Sequence, residues 1–242
     1  MPSSVDVVFT PNLLSCSELT GKTIVVTDIL RATTTITVAL ANGASSVAPV
    51  LTPADAYHFA NHTPNVLIGG EREGIRVDGF DLGNSPREYT KSVVAGRPIV
   101  LTTTNGTRTL HACQSAQSVF IGCFLNLQST LDCLKRAIGE VVIACSGREG
   151  SFCLEDAVFA GACADALKSD ADEKRNGFQL TDAAEAARIL YHEHCHDLIG
   201  MMKSCYHGNY LANIGLGTDL EFCAQTNTIE IVPRQIDGRI VS

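Results

Sequence analysis

Residues 23–35 read TIVVTDILRATTT. The first five are all β-branched, and such stiff side chains fit the pleated surface of a strand. An acid, Asp28, follows, then Arg31 and a run of threonines. The next stretch, TTITVALANGA (34–44), is a helix candidate with Asn42-Gly43 as its stop. Strand, polar turn, small-residue helix: the same plan recurs in IVLTTTNGTRTL (99–110) and VVIACSGREGSFCLED (141–156). Further strand candidates are VDVVF (5–9), SSVAPVL (45–51), NVLIGG (65–70) and SVFIGCF (118–124). The segment PADAYHFANH (53–62) opens a helix on Pro53, and TIEIVPRQIDGRIVS (228–242) reads as a closing strand pair. Strands alternating with helices predict parallel β-α units and a layered α/β fold with a largely parallel or mixed sheet. We expect one domain over residues 1–242.

Two stretches interrupt the rhythm. Residues 69–89, GGEREGIRVDGFDLGNSPREY, read as a long glycine-rich, charged loop; a loop of that length in a compact domain is usually functional or disordered, and its spaced acids and Asn-Ser-Pro turn favour function. Residues 169–177, SDADEKRNG, read as a solvated surface loop.

Hydrophobic residues make up 45% of the chain and charged residues 18%, which excludes a disordered class. A net charge of −8 disfavours nucleic-acid binding, which needs a basic face, but leaves room for a small anionic substrate held by a few local cations. The ten cysteines include no CxxC pair, and many sit among Val, Ile and Ala. They read as free core thiols in a reducing compartment. With no signal peptide and no apolar run of membrane-spanning length, the expectation is a cytoplasmic protein away from membranes. A homo-oligomer stays open.

In a parallel sheet the three turns lie at the carboxyl ends of strands, the edge where open α/β sheets bind ligands. The first offers Asp28, Arg31 and Thr33–Thr35, and the second Thr102, Thr103, Thr104, Asn105, Thr107 and Arg108, with Gly106 among them. The third offers Ser146, Arg148, Glu149, Ser151, Glu155 and Asp156. Hydroxyls and backbone N–H groups at helix starts bind anions, arginines add bidentate contacts, and glycines admit close approach. Any one turn can be a mere helix cap; three together read as an oxyanion site. Acids accompany them: Asp28, Glu71, Asp81, Glu155 and Asp156. Carboxylates beside bound anions repel them unless a cation intervenes, and Mg²⁺ suits such oxygen ligands. The bland reading of Glu155 and Asp156 is an acid pair stabilising a helix start.

Absent motifs narrow the chemistry. There is neither GxxxxGK[ST] nor a strand-borne GxGxxG. HEHCH (192–196) satisfies HExxH, with Glu193 between the histidines. The longer zinc-protease pattern fails at Ile199 and Met202, and the segment reads as the solvated face of an amphipathic helix.

The blocks TDILRATTTITVALANGA, GEREGIRVDGFDLGNSPREY, TTTNGTRTL, CSGREGSFCLEDAVFAGA and SCYHGNYLANIGLGTDLEFCAQTNTIEIVP resemble the 2-phosphosulfolactate phosphatase family. The resemblance implies a three-layer α/β/α fold and Mg²⁺-dependent hydrolysis of 2-phospho-3-sulfolactate to 3-sulfolactate and phosphate, a step toward coenzyme M. It maps site positions onto Asp28, Arg31, Glu71, Asp81, Asn84, Ser85, Thr103, Asn105, Gly106, Thr107, Ser146, Gly147, Arg148, Glu155 and Asp156. Asn209 and Asn227 depart from the pattern, where a basic residue and an acid are expected.

The combined expectation is a metal-dependent phosphatase. Asp28, Arg31, Glu155 and Asp156 are its catalytic candidates, and Asp28, Glu71, Asp81 and Glu155 the Mg²⁺ ligands. Asn84, Ser85, Thr103, Asn105, Gly106, Thr107, Ser146 and Arg148 would bind substrate. Asp28 as a covalent nucleophile and direct attack by water both stay open, with water favoured because no DxDx[TV] stretch is present. The alternative from another class is a non-catalytic binder of small phosphate or sulfonate anions.

Overall fold

The computed structural model describes residues 1–14, 19–172 and 177–242. The strands are β1 (Ser4–Val8), β2 (Thr23–Thr27), β3 (Ser46–Pro49), β4 (Leu67–Arg72), β5 (Ile75–Arg76), β6 (Pro98–Thr102), β7 (Ser118–Gly122), β8 (Glu140–Cys145), β9 (Gln179–Leu180), β10 (Arg234–Ile236) and β11 (Arg239–Val241). The helices are α1 (Ala32–Ala41), α2 (Pro53–Asn61), α3 (Lys91–Val94), α4 (Gly106–Ala112), α5 (Leu127–Leu134), α6 (Leu154–Asp172), α7 (Asp182–His194), α8 (Leu198–Ser204), α9 (Tyr206–Asn213) and α10 (Gly217–Cys223).

β2 is buried along its whole length, as an unbroken β-branched run requires. It lies between β7 and β8, parallel to both, with Val25 level with Phe120 and Ile143. The strands form one mixed, mostly parallel sheet in the order β5-β4-β6-β3-β11-β10-β7-β2-β8-β1-β9. The expected α/β class is borne out.

The sheet consists of two parallel blocks. β4, β6 and β3 form one, and β7, β2, β8, β1 and β9 the other. The C-terminal hairpin β10–β11 is inserted between them, antiparallel to each other and to both neighbours. Three successive antiparallel pairings set the two blocks in opposite senses along the sheet. Only one register pair joins the hairpin to each block, Arg234–Phe120 and Ile240–Val47. The three polar turns do follow the carboxyl ends of β2, β6 and β8, but they come from two blocks that meet across a cleft.

α1 is buried over nine of its ten residues. Three of its four threonines donate their hydroxyls to backbone carbonyls, while the buried Thr37 Oγ1 has no partner. Thr33 donates to Asp28 O, Thr34 to Ile29 O and Thr35 to Asn84 O, at 2.8–2.9 Å. The Thr33 and Thr34 hydroxyls fasten the Asp28–Arg31 turn to the helix, and the Thr35 hydroxyl ties the helix to Asn84.

Residues 69–89 are not a continuous loop. They contain the end of β4, its antiparallel partner β5 and a 3₁₀ turn, Pro86–Glu88. Backbone N–H groups of the turn and strand fix Asp81 and Glu88: Ile68 N donates to Asp81 Oδ2 (2.9 Å) and Gly83 N to Glu88 Oε2 (2.9 Å). Ser169–Asp172, expected in a loop, continue α6; residues 173–176 lie outside the described residues. No helix among the described residues is long and apolar enough to cross a membrane.

Candidate active site

Asp28 leaves the buried end of β2 and caps its own turn: Ala32 N donates to Asp28 Oδ1 at 3.1 Å, and Asp28 N to Thr33 Oγ1 at 3.0 Å. Gly106, the first residue of α4, comes so close that a Cβ there would stand 2.7 Å from Asp28 Oδ2 and 2.6 Å from the Ala32 Cβ. Only glycine lets the β6 turn approach the Asp28 carboxylate this way. Burial raises the Asp28 pKa to about 6; the Ala32 N–H and His207 oppose the shift, and the charges of Glu71 and Glu155 add to it.

Glu155 opens α6 and is almost fully buried. Its Oε1 lies 3.3 Å from His207 Nδ1, while Oε2 is buried without a hydrogen-bond partner. Burial disfavours its charge, yet the hydrogen bond and charge of His207 prevail and hold the carboxyl below its ordinary range. Its neighbour Asp156 has a different job. Asp156 Oδ1 accepts from Ile29 N (2.8 Å) and Oδ2 from Gly147 N (3.0 Å), so it clamps the β2 turn to the β8 turn. Burial, then Glu155 and Asp28, push its carboxyl well above the usual range. Both Asp156 oxygens are committed to backbone N–H groups, and the residue does not line the cleft.

Arginines and the second turn complete the cleft. Buried Arg31 is fixed by Asp219 Oδ2 (2.8 Å) and Gly74 O (2.7 Å). Ser85 Oγ donates to the other oxygen of Asp219 at 2.7 Å. Arg148 stacks on Tyr206 and Tyr210, 4.9 Å from each ring centroid. Thr103 and Thr107 bond reciprocally: Thr107 N donates to Thr103 Oγ1 (3.2 Å) and Thr103 N to Thr107 Oγ1 (3.4 Å), and Thr107 Oγ1 also donates to Thr103 O (2.9 Å). Glu149 N donates to Asn105 Oδ1 at 2.8 Å, joining the β8 turn to the β6 turn.

The structure therefore gathers Asp28, Arg31, Glu71, Asn84, Thr103, Asn105 and Arg148 around one polar cleft. His207 and Tyr210 also line it. Glu155 lines an adjoining cavity of about 510 Å³, which shares Arg148, Glu149 and His207 with the cleft. Glu71 is present but occupied: Oε2 accepts from Gly74 N and Oε1 from Thr104 N, both at 2.7 Å. Asp81 is not at the cleft, because its carboxylate caps the Ile68 N–H on the exposed side of the β4 hairpin. Ser85 and Thr107 support the cleft through Asp219 and Thr103 rather than lining it. Ser146 is buried with an unpartnered Oγ, as is Asn84 through Oδ1. Asn209 and Asn227 act locally, donating to Ser204 O and Cys205 O and accepting from Gln128 N.

The sequence reading passed over His207, Asp219 and Tyr210. Glu155 and Arg31 find their partners in His207 and Asp219, far along the chain, and no local sequence signal marks either pairing. Among the described residues, HEHCH gathers no set of three metal-type ligand atoms. α7 ends at His194, so His192 and His196 share no helical face, and His192 Nε2 instead lies 2.9 Å from Asp165 Oδ1.

The cleft combines charged acceptors at its floor with arginines and N–H-rich turns around it, an arrangement suited to a polyanion accompanied by a cation. The chain is 40% identical over 232 residues to a Symbiobacterium thermophilum protein named "probable 2-phosphosulfolactate phosphatase", spanning 95% of this chain and 98% of that one. Proteins of the same name from Caldanaerobacter subterraneus (38% over 231 residues; 95% and 94%) and Clostridium perfringens (37% over 240 residues; 98% and 95%) are similarly close. The profile of 2-phosphosulpholactate phosphatases matches residues 8–238, and the chain belongs to that family.

Proposed function

We propose that the protein is a phosphoric monoester hydrolase that converts 2-phospho-3-sulfolactate, or a closely related phospho-hydroxy acid, to the hydroxy acid and phosphate, with Mg²⁺ bound. The observation that carries this reading is the pair of buried, mutually interacting carboxylates Asp28 and Glu155 beside two arginines held in fixed positions. A site built only to bind anions gains nothing from buried acids, which counts against the non-catalytic alternative.

The donor set fits a hard cation in part. Asp28 and Glu155 would hold Mg²⁺, and the unpartnered, buried Glu155 Oε2 is the vacant donor such an ion needs. Glu71 fits poorly because backbone N–H groups occupy both its oxygens, and Asp81 lies too far out. When bound, the ion supplies charge neutralisation and polarises its ligands. The protein does the rest. Arg31 and Arg148 bind oxyanions in set orientations, and the Thr103–Asn105 backbone turns toward the same cleft. The Glu155–His207 contact provides a place to hold or move a proton near the leaving oxygen. The cleft adjoins a larger cavity of about 510 Å³ that shares Arg148, Glu149 and His207 with it, which leaves room for the body of the substrate. Attack by water is favoured, since Asp28 is tied to Ala32 N and wedged against Gly106.

A phosphate-release screen over phospho-hydroxy acids, with Mg²⁺ and after exhaustive chelation, tests this. Turnover of phosphosulfolactate that disappears with EDTA and returns with Mg²⁺ is the expected result. Saturable binding without phosphate release would favour the binder.

A further inference from the structure

We propose that Cys153, Glu155 and His207 form a binding site for a borderline divalent transition-metal ion of the Zn²⁺ or Co²⁺ type. One ligand atom from each, a thiol sulfur, a carboxylate oxygen and an imidazole nitrogen, lies within 4.8 Å of the other two. Metal–ligand bonds of 2.0–2.3 Å put neighbouring ligands of a tetrahedral ion roughly 3.3–3.8 Å apart. The Glu155 Oε1 to His207 Nδ1 distance of 3.3 Å already falls in that range, and all three ligand atoms lie within 4.8 Å of one another.

A second observation points to a ligand here. Glu155 is 1% exposed, and its Oε2 makes no hydrogen bond. A buried, unpartnered carboxylate oxygen is costly and calls for a cation or donor that completes it. The donor chemistry selects among cations. Sulfur and imidazole are poor ligands for Mg²⁺ and good ones for Zn²⁺ and Co²⁺. Three protein ligands with the fourth side open to the 510 Å³ cavity match sites that keep a position for water or substrate. Binding releases the Cys153 thiol proton to solvent and leaves a site in which thiolate and carboxylate balance the charge of the ion. Cys205 lines the same cavity but is otherwise engaged: its sulfur accepts from Gly208 N at 3.3 Å and caps α9. The proposal rests on the same Glu155 and His207 that the phosphatase reading uses, and an ion held here takes the place given there to Mg²⁺ on Glu155; its readouts are spectroscopic, so its failure and that of the phosphatase reading are told apart.

The test is Co²⁺ titration of metal-stripped protein, followed by Zn²⁺ competition. One Co²⁺ per chain with a near-ultraviolet sulfur-to-cobalt charge-transfer band, bleached by one equivalent of Zn²⁺, is expected. Cys153→Ser should keep the circular dichroism of the wild type, lose the band and weaken Zn²⁺ binding at least about tenfold. Cys205→Ser, which preserves a capping side chain, should keep the band. Absence of the band in the wild type, its survival in Cys153→Ser, or its loss only in Cys205→Ser overturns the assignment.

Discussion

Asn105 Oδ1 accepts a 2.8 Å hydrogen bond from the backbone N–H of Glu149, and the two residues belong to opposite strand blocks of the sheet. Asn105 follows β6; Glu149 follows β8. The bond therefore spans the cleft itself and holds its walls at a set separation, with the Arg148 side chain beside it.

Asn105→Ala should lower turnover far more than stability. Losing the bond costs about 1 kcal/mol of folding free energy. If the turn faces charge that develops in the transition state, the loss in kcat corresponds to about 2.7–4 kcal/mol. Steady-state kinetics beside urea denaturation separates the two, and wild-type kcat in the variant would reduce this turn to a helix start.

Asp28→Asn should abolish activity while stabilising the metal-free protein. The ordinary Asp pKa of 3.8 is raised to about 6 in the fold. Between these values the folded state binds the extra proton, so stability falls as pH rises through the window and the penalty is complete above about pH 6. The variant lacks that penalty. Its advantage should be small near pH 4 and grow to at most about 3 kcal/mol above pH 6. Thermal melts across pH in EDTA check this; a constant difference at all pH values would contradict it.

Asp219→Ala should destabilise by about 3–5 kcal/mol, because it leaves the buried Arg31 guanidinium short of its anion and Ser85 without an acceptor. In the surviving folded fraction, KM for the anionic substrate should rise as Arg31 loses its fixed orientation. An unchanged denaturation midpoint would show that Gly74 O alone suffices to hold Arg31.

Asp81→Ala and Glu155→Gln should part company in a Mg²⁺ titration of activity. Asp81 only caps Ile68 N, so its loss should cost about 1 kcal/mol of stability and leave the Mg²⁺ requirement alone. Glu155→Gln should raise the Mg²⁺ concentration needed or abolish turnover. The reverse outcome would return Asp81 to the metal.

His192→Ala and His196→Ala should leave turnover unchanged and stability within about 0.5 kcal/mol, since His192 pairs with Asp165 on an exposed face. Stoichiometric zinc lost in either variant would be evidence against this assignment.

The sequence by itself determined the strand–turn–helix units. β-branched runs such as 23–27 and 141–143 can bury on both faces of a sheet, and nothing else in their neighbourhood competes with a strand there. It also determined that Asp28, Arg31, Asn105, Arg148 and Glu155 follow strand ends, because polar residues must leave a buried strand where it stops. Local composition could not reveal the hairpin β10–β11 wedged between two parallel blocks, since strand order depends on pairings between segments far apart in the chain. Nor could it tell Glu155 from Asp156. The two acids are adjacent in one helix turn, yet one meets His207 from α9 and the other meets the N–H groups of Ile29 and Gly147. The role of a buried carboxylate is set by the donors that surround it, and those donors arrive from distant segments only when the chain folds.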